Sequence, residues 1–327
     1  MRPLTRTLVR ALTTVSASAL AATLVAGPAT ALPTTTLTPH GLPRGADVAV
    51  PHLEGKTVVD GAVRIRIKAP TLVLLGKSGA AYVVGTADAQ GAHGRIYRVT
   101  ADGARTLLAR SHPFQSILSG DGSRIVTSHL GSTPKATITV IDAATGARVS
   151  SRTFNGYASA LDADADRVLV GDNGKAVLWT ISSDSVAVLS SHSGYFGDLS
   201  TDVVATFTKD PYDGGCTVVS RISTGAKLWR SCTEAVTAVS TDGSRIATVG
   251  ILSDGPGPGR VDARTITGQH LGRYQVRSGW FRSIYFESPT ALLLEVNGAR
   301  KAFTARCTGT ACERASDLSP AQTLRTS

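Results

Sequence analysis

From residue 46 onward the chain alternates short apolar runs with polar punctuation, and within a run the apolar residues fall at every second position or continue unbroken. A period of two marks a half-buried β-strand; an unbroken run such as Val168-Leu169-Val170 marks a strand covered on both faces. Beyond the N-terminal leader, no segment carries the apolar period of about 3.6 residues that an amphipathic helix needs. The pattern predicts an all-β chain. One phrase recurs: Ser119-Gly120-Asp121-Gly122-Ser123-Arg124-Ile125 and Ser240-Thr241-Asp242-Gly243-Ser244-Arg245-Ile246, with a looser copy from Leu161 to Val170. Each copy places an Asp/Gly turn between two apolar strands, which is a hairpin.

A second set of turns supplies the period. Asp60-Gly61, Asp102-Gly103, Thr145-Gly146, Thr224-Gly225, Thr267-Gly268 and Thr308-Gly309 place their glycines 42, 43, 79, 43 and 41 residues apart. The long interval is double, and its missing member is the degenerate Ser183-Asp184-Ser185. Seven units of this length, each with several short strands, predict a β-propeller of four-stranded antiparallel blades. Seven blades are expected, with six plus an N-terminal extension as the alternative. In the first unit the expected strands are Asp47–Pro51, Lys56–Val59 and Val63–Lys68, and the tail 317–327 is expected to add another. The ring, residues 46–327, would then be a single domain closed by both chain ends.

At these turns the chain resembles known repeats. Ser-x-Asp-Gly-Ser-Arg-Ile is similar to the first hairpin of WD40-like and TolB-like repeats of secreted bacterial propellers. Ile141-Asp142-Ala143-Ala144-Thr145-Gly146 and Ser223-Thr224-Gly225-Ala226-Lys227-Leu228-Trp229 resemble quinoprotein-like repeats. The resemblance covers 46 to about 316 and implies a fold, because such wording specifies turns and packing rather than chemistry. There is no Gly-His…Trp-Asp pair, and most units lack the quinoprotein tryptophan.

The leader changes the expected compartment. Arg2, Arg6 and Arg10 precede an apolar stretch, Ala11–Ala26, and an Ala29-Thr30-Ala31 cleavage motif. Residues 1–31 therefore read as a Sec-type signal peptide cut after Ala31, followed by a flexible segment, 32–45, and the protein is expected to be secreted and extracellular with no membrane span. Losing three arginines lowers the net charge from +10 to +7, and the remaining cations are scattered, so no nucleic-acid partner is expected. Cys216 and Cys232 flank the Thr224-Gly225 turn symmetrically, and Cys307 and Cys312 flank Thr308–Ala311. In an oxidising compartment this spacing predicts two hairpin disulfides, Cys216–Cys232 and Cys307–Cys312, rather than a metal site.

Candidate chemistry is sparse. Leu74-Leu75-Gly76-Lys77-Ser78 lacks the flexible backbone of a phosphate loop, and Asp162-Ala163-Asp164-Ala165-Asp166 lacks the glycine and glutamate of a calcium loop. No catalytic residue, metal ligand or cofactor is expected. Links between blades, however, repeat an aromatic: Phe114, Tyr157, Tyr195 and Trp280, with His112 and His192 beside them. These links share one face of a propeller with the loops carrying His93, His129, Lys209–Asp213 and Leu252–Gly259. The expected function is a secreted, monomeric, non-enzymatic binding or scaffold propeller for a protein, peptide or glycan ligand, with those six residues as the candidate rim. The alternative is a secreted hydrolase or lyase with polar residues converging at the channel mouth.

Overall fold

The computed structural model describes residues 33–172 and 174–322; the leader and residues 323–327 lie outside them. The described chain is all-β, with seven sheets arranged as the blades of a ring. A short strand, β1 (Thr34–Thr36), precedes them. Blade 1 holds β2 (His52–Glu54), β3 (Thr57–Asp60) and β4 (Val63–Arg66). Blade 2 holds β5 (Thr71–Ser78), β6 (Ala81–Ala87), β7 (Arg95–Val99) and β8 (Arg105–Ala109). Blade 3 holds β9 (Ser116–Leu118), β10 (Arg124–Leu130), β11 (Lys135–Asp142) and β12 (Arg148–Asn155). Blade 4 holds β13 (Ser159–Ala163), β14 (Arg167–Asp172), β15 (Lys175–Thr180) and β16 (Ser185–Ser190). Blade 5 holds β17 (Ser193–Asp198), β18 (Val203–Phe207), β19 (Thr217–Arg221) and β20 (Lys227–Ser231). Blade 6 holds β21 (Glu234–Val239), β22 (Arg245–Gly250), β23 (Arg260–Thr265) and β24 (His270–Gln275). Blade 7 holds β25 (Gly279–Phe286), β26 (Leu292–Gly298), β27 (Lys301–Thr308) and β28 (Ala311–Arg314), and β29 (Ser319–Pro320) returns to β27. Within a blade every pairing is antiparallel, from inner strand to outer strand.

The recurrent phrase now has a physical reason. In blade 3, Ser119 Oγ donates to Asp121 Oδ1 (2.5 Å) and accepts from the Arg124 amide (2.9 Å), while Asp121 Oδ2 takes the Ser123 hydroxyl (2.7 Å). Ser240, Asp242, Ser244 and Arg245 repeat this arrangement in blade 6. Gly122 has φ +73°, and a Cβ there would sit 2.3 Å from the Lys77 carbonyl of the preceding blade. The phrase thus satisfies a tight turn's polar groups and lets neighbouring blades touch through backbone. The Thr-Gly turns and the Asp60-Gly61 and Asp102-Gly103 turns join the last two strands of their blades, and Ser183–Ser185 occupies the same place in blade 4.

Both disulfides join the expected partners: Cys216 to Cys232 and Cys307 to Cys312, with Cα separations of 4.0 and 4.2 Å. Cys307 and Cys312 are opposite one another across β27 and β28.

Six apolar clusters fill the joints between successive blades, from Val58, Ile65, Tyr82 and Val84 between the first two to Tyr274, Phe281 and Leu294 between the last two. The N-terminal residues take another course from the flexible segment read from the sequence. β1 pairs in parallel with β24, the outer strand of blade 6. Residues 43–48 then run beside the end of β28: Gly45 N–H donates to Arg314 O (2.9 Å), Arg314 N–H to Pro43 O (2.7 Å) and Val48 N–H to Ala315 O (3.2 Å). Arg306 fastens this strap with all five of its N–H groups. They reach both Glu287 oxygens (2.6 and 3.0 Å), Glu313 (2.8 Å) and the carbonyls of Ala46 (2.9 Å) and Asp47 (2.8 Å). The expected strand Asp47–Pro51 is therefore replaced by His52–Glu54, because the Val48 amide is already spent on blade 7 and Pro51 has none to offer. The tail stays on blade 7 as far as it is described, where Gln322 and Asn297 exchange two hydrogen bonds (3.0 and 2.8 Å).

Candidate functional site

The link from β8 to β9 lies flat against blade 2 because two glycines leave room for it. A Cβ on Gly85 would stand 2.4 Å from Pro113 Cβ, and one on Gly94 would stand 2.3 Å from Ser111 O. Pro113 is buried there and opens a 3₁₀ turn, Pro113–Gln115, closed by the Ser116 hydroxyl donating to His112 O (2.8 Å). The turn thrusts Phe114 outward, 67% exposed, with the His112 ring tilted against it at 5.6 Å. Across the joint, the link between β12 and β13 presents Tyr157, 60% exposed. Between them lies a cleft of about 310 Å³ floored by Ile117 and Ala160 and flanked by Leu130 at the end of β10.

The cleft carries no charged side chain. Two of its hydroxyls are already committed: Ser116 bonds inward, and Ser128 Oγ accepts from the Ala160 amide (2.9 Å). The side chains of Gln115 and Ser159 and the Tyr157 hydroxyl make no hydrogen bond among the described residues. His112 Nδ1 is buried without a partner. The site is an aromatic-walled slot with few polar groups to offer.

Of the six rim residues read from the repeat, the structure brings Phe114, Tyr157 and His112 together. Tyr195 is turned inward: its ring stacks on Phe207 at 3.8 Å, its hydroxyl pairs with Thr217 Oγ1 (3.0 Å), and it accepts from the Val236 amide of blade 6 (2.9 Å). Burial pushes its pKa up to about 12. Trp280 is half-buried under the loop at Gly257, where a Cβ would come within 2.9 Å of the indole Cδ1. His192 is exposed and lines neither this cleft nor the one described next. Leu130, Ile117 and Gln115 went unnoticed in the sequence, since nothing in an apolar strand end marks it as a cleft wall.

A second cleft, about 390 Å³, lies between blade 7 and β2 and is lined by charged groups including Glu54, Arg282, Glu295 and Asp317. The acidic run of blade 4 is divided among three tasks. Asp164 caps the amides of Asp166 and Arg167, Asp166 binds Ser182, and Asp162 accepts from the Leu199 amide (2.6 Å). Burial, with Asp198 and Asp164 nearby, raises the Asp162 pKa to about 6. Among the described residues no cluster of three or more His, Cys, Asp or Glu is placed to hold a metal ion, and no helix is long and apolar enough to cross a membrane.

No protein-family model and no curated protein matches the chain. Solved structures do. The WD40 repeats of RRP9 superpose with a TM-score of 0.57 at 13% identity over 86% of each chain. Acylaminoacyl peptidase of Pyrococcus horikoshii gives 0.56 at 11% identity, over 80% of this chain and 48% of that one. TolB of Acinetobacter baumannii gives 0.47 at 16% identity, over 73% and 64%. The likeness is one of fold. The chain is a seven-bladed β-propeller, and its chemistry has to be argued from its own residues.

Proposed function

We propose that this propeller is a secreted binding protein whose Phe114–Tyr157 cleft holds an uncharged, apolar or aromatic side chain of a protein or peptide partner. One observation carries the reading: two large aromatics, both more than half exposed, face a cleft without a single charge in a chain that keeps a net charge of +7 without its leader. Exposed aromatic walls around a small apolar pocket are where binding energy concentrates in protein interfaces. A glycan is disfavoured, because sugar recognition needs several convergent polar groups and two of the hydroxyls here are spent on the fold.

The test is a titration with capped amino-acid amides of leucine and phenylalanine, and with methyl glycosides, read by NMR shifts of the Ile117 and Leu130 methyls. The capped amides are expected to shift both methyls. Phe114→Ala and Tyr157→Ala, being surface changes, are expected to keep the fold and weaken binding roughly tenfold or more. Shifts from the glycosides alone, or from neither probe, overturn the proposal.

A further inference from the structure

Outer strands are the exposed seams of a propeller, each offering a row of unpaired N–H and C=O groups to any strand that approaches. Of the seven outer strands here, β24 and the end of β28 are covered by the strap. Four others carry cations that oppose pairing with their own kind: Arg64 and Arg66 in β4, Arg105 in β8, Arg148 and Arg152 in β12, Lys227 and Arg230 in β20. β16 carries none. It reads Ser185-Val186-Ala187-Val188-Leu189-Ser190, pairs among the described residues on one side only, with β15, and exposes Val188 (62%) and Val186 (36%).

We propose that β16 is a homotypic docking edge, where two copies of the chain pair antiparallel and join their fourth blades into one continuous sheet. A two-fold axis normal to the sheet reverses strand direction and preserves its faces, so residues that meet must share a face. Centred on Ala187, that axis sets Val186 against Val188, short of the bulge at Leu189, with no charge opposed to another. Charge also selects the occupant. An acidic partner strand is drawn to the arginine-bearing edges, whereas two copies of this chain set cation against cation along those edges and meet without a like-charge contact at β16. The contact is one short strand per copy, well under the area of a permanent interface, so association is weak and driven by concentration. This differs from the monomer expected from the sequence.

Sedimentation velocity on the purified protein over about a hundredfold range of concentration, with hydrogen exchange at both ends of that range, tests the proposal. The sedimentation coefficient is expected to rise toward that of a two-copy species while the β16 amides gain roughly tenfold protection. Val188→Lys places a cation of each copy in the seam and is expected to abolish both effects. Because Val188 is exposed, its melting temperature should stay within about 1–2 °C of the parent. A protein that sediments as a monomer throughout, or a dimer that Val188→Lys leaves intact, overturns the proposal.

Discussion

Between blades 6 and 7, fourteen buried residues form one apolar cluster running from Leu37 of the strap to Cys307; between blade 7 and the entry to blade 1 the corresponding cluster holds three, Val48, Leu293 and Ala315. The first joint is made by blades adjacent in sequence, each supplying Val, Leu, Phe or Ala at matched repeat positions. The second must be made by the two ends of the chain, and no repeat position governs what they bring. Its place is taken by the charged second cleft, the strap and Arg306. A ring of repeats therefore has one joint that the repeat does not design.

Truncation at the two joints is the strongest way to break this comparison. Phe281→Ala, at a side chain 1% exposed in the large cluster, is expected to cost about 3–5 kcal/mol in urea unfolding, whereas Val48→Ala at the closing joint should cost about 1–2 kcal/mol. Equal losses would show that the closing joint is as well packed as the others. Arg306→Lys comes next. A lysine has three donors for five acceptors and leaves the half-buried Glu287 poorly paired, so a loss on the order of 2–3 kcal/mol is expected, along with faster proteolysis of residues 33–50. A variant that melts and digests like the parent would remove Arg306 as the fastener.

The smallest effect sharpens the comparison from a third joint, between blades 4 and 5, where Asp162 bonds the Leu199 amide. In the folded protein this carboxyl keeps its proton up to about pH 6, against 3.8 in an open chain. Folding is thus unhindered by it below about pH 4, loses stability as pH rises from there to 6, and carries the whole penalty above. Asp162→Asn retains an acceptor for Leu199 and removes the charge. It should stabilise the fold at pH 8 by on the order of 1–2 kcal/mol, after allowance for partial solvation, and have no effect near pH 4. Equal effects at both pH values would mean that charge burial is not the cause.

What the sequence made legible follows the same division. The blade count, the turns built on Asp121 and Asp242 and both disulfide pairings are local facts, decided within one hairpin or between successive ones. The strap was illegible because Thr34–Thr36 and Pro43–Val48 have no alternating pattern of their own; their strand character is lent by β24 and β28. The aromatic rim was half legible. Phe114 and Tyr157 lie in the links ahead of β9 and β13, whereas Tyr195 and Trp280 lie inside β17 and β25, and whether each ring faces solvent depends on what lies over it. Phe207 stacks on Tyr195, the Gly257 loop covers Trp280, and Pro113 levers Phe114 outward. Those are relations between loops that a single sequence does not align.

The strap also orders events in time. Thr36 and its partner Gln275 are separated by 239 residues, and Arg44 from Arg314 by 270, so the first described strand to be synthesised is among the last to find its place. Joints between neighbouring blades close short loops, whereas the strap has to close the longest ones, so its contacts carry the largest closure cost in the molecule. A chain cut short before Arg306 keeps the β1–β24 pairing but has nothing to hold residues 43–48, so that part of the strap hangs open to proteases. The strap thus certifies that the last two blades have arrived.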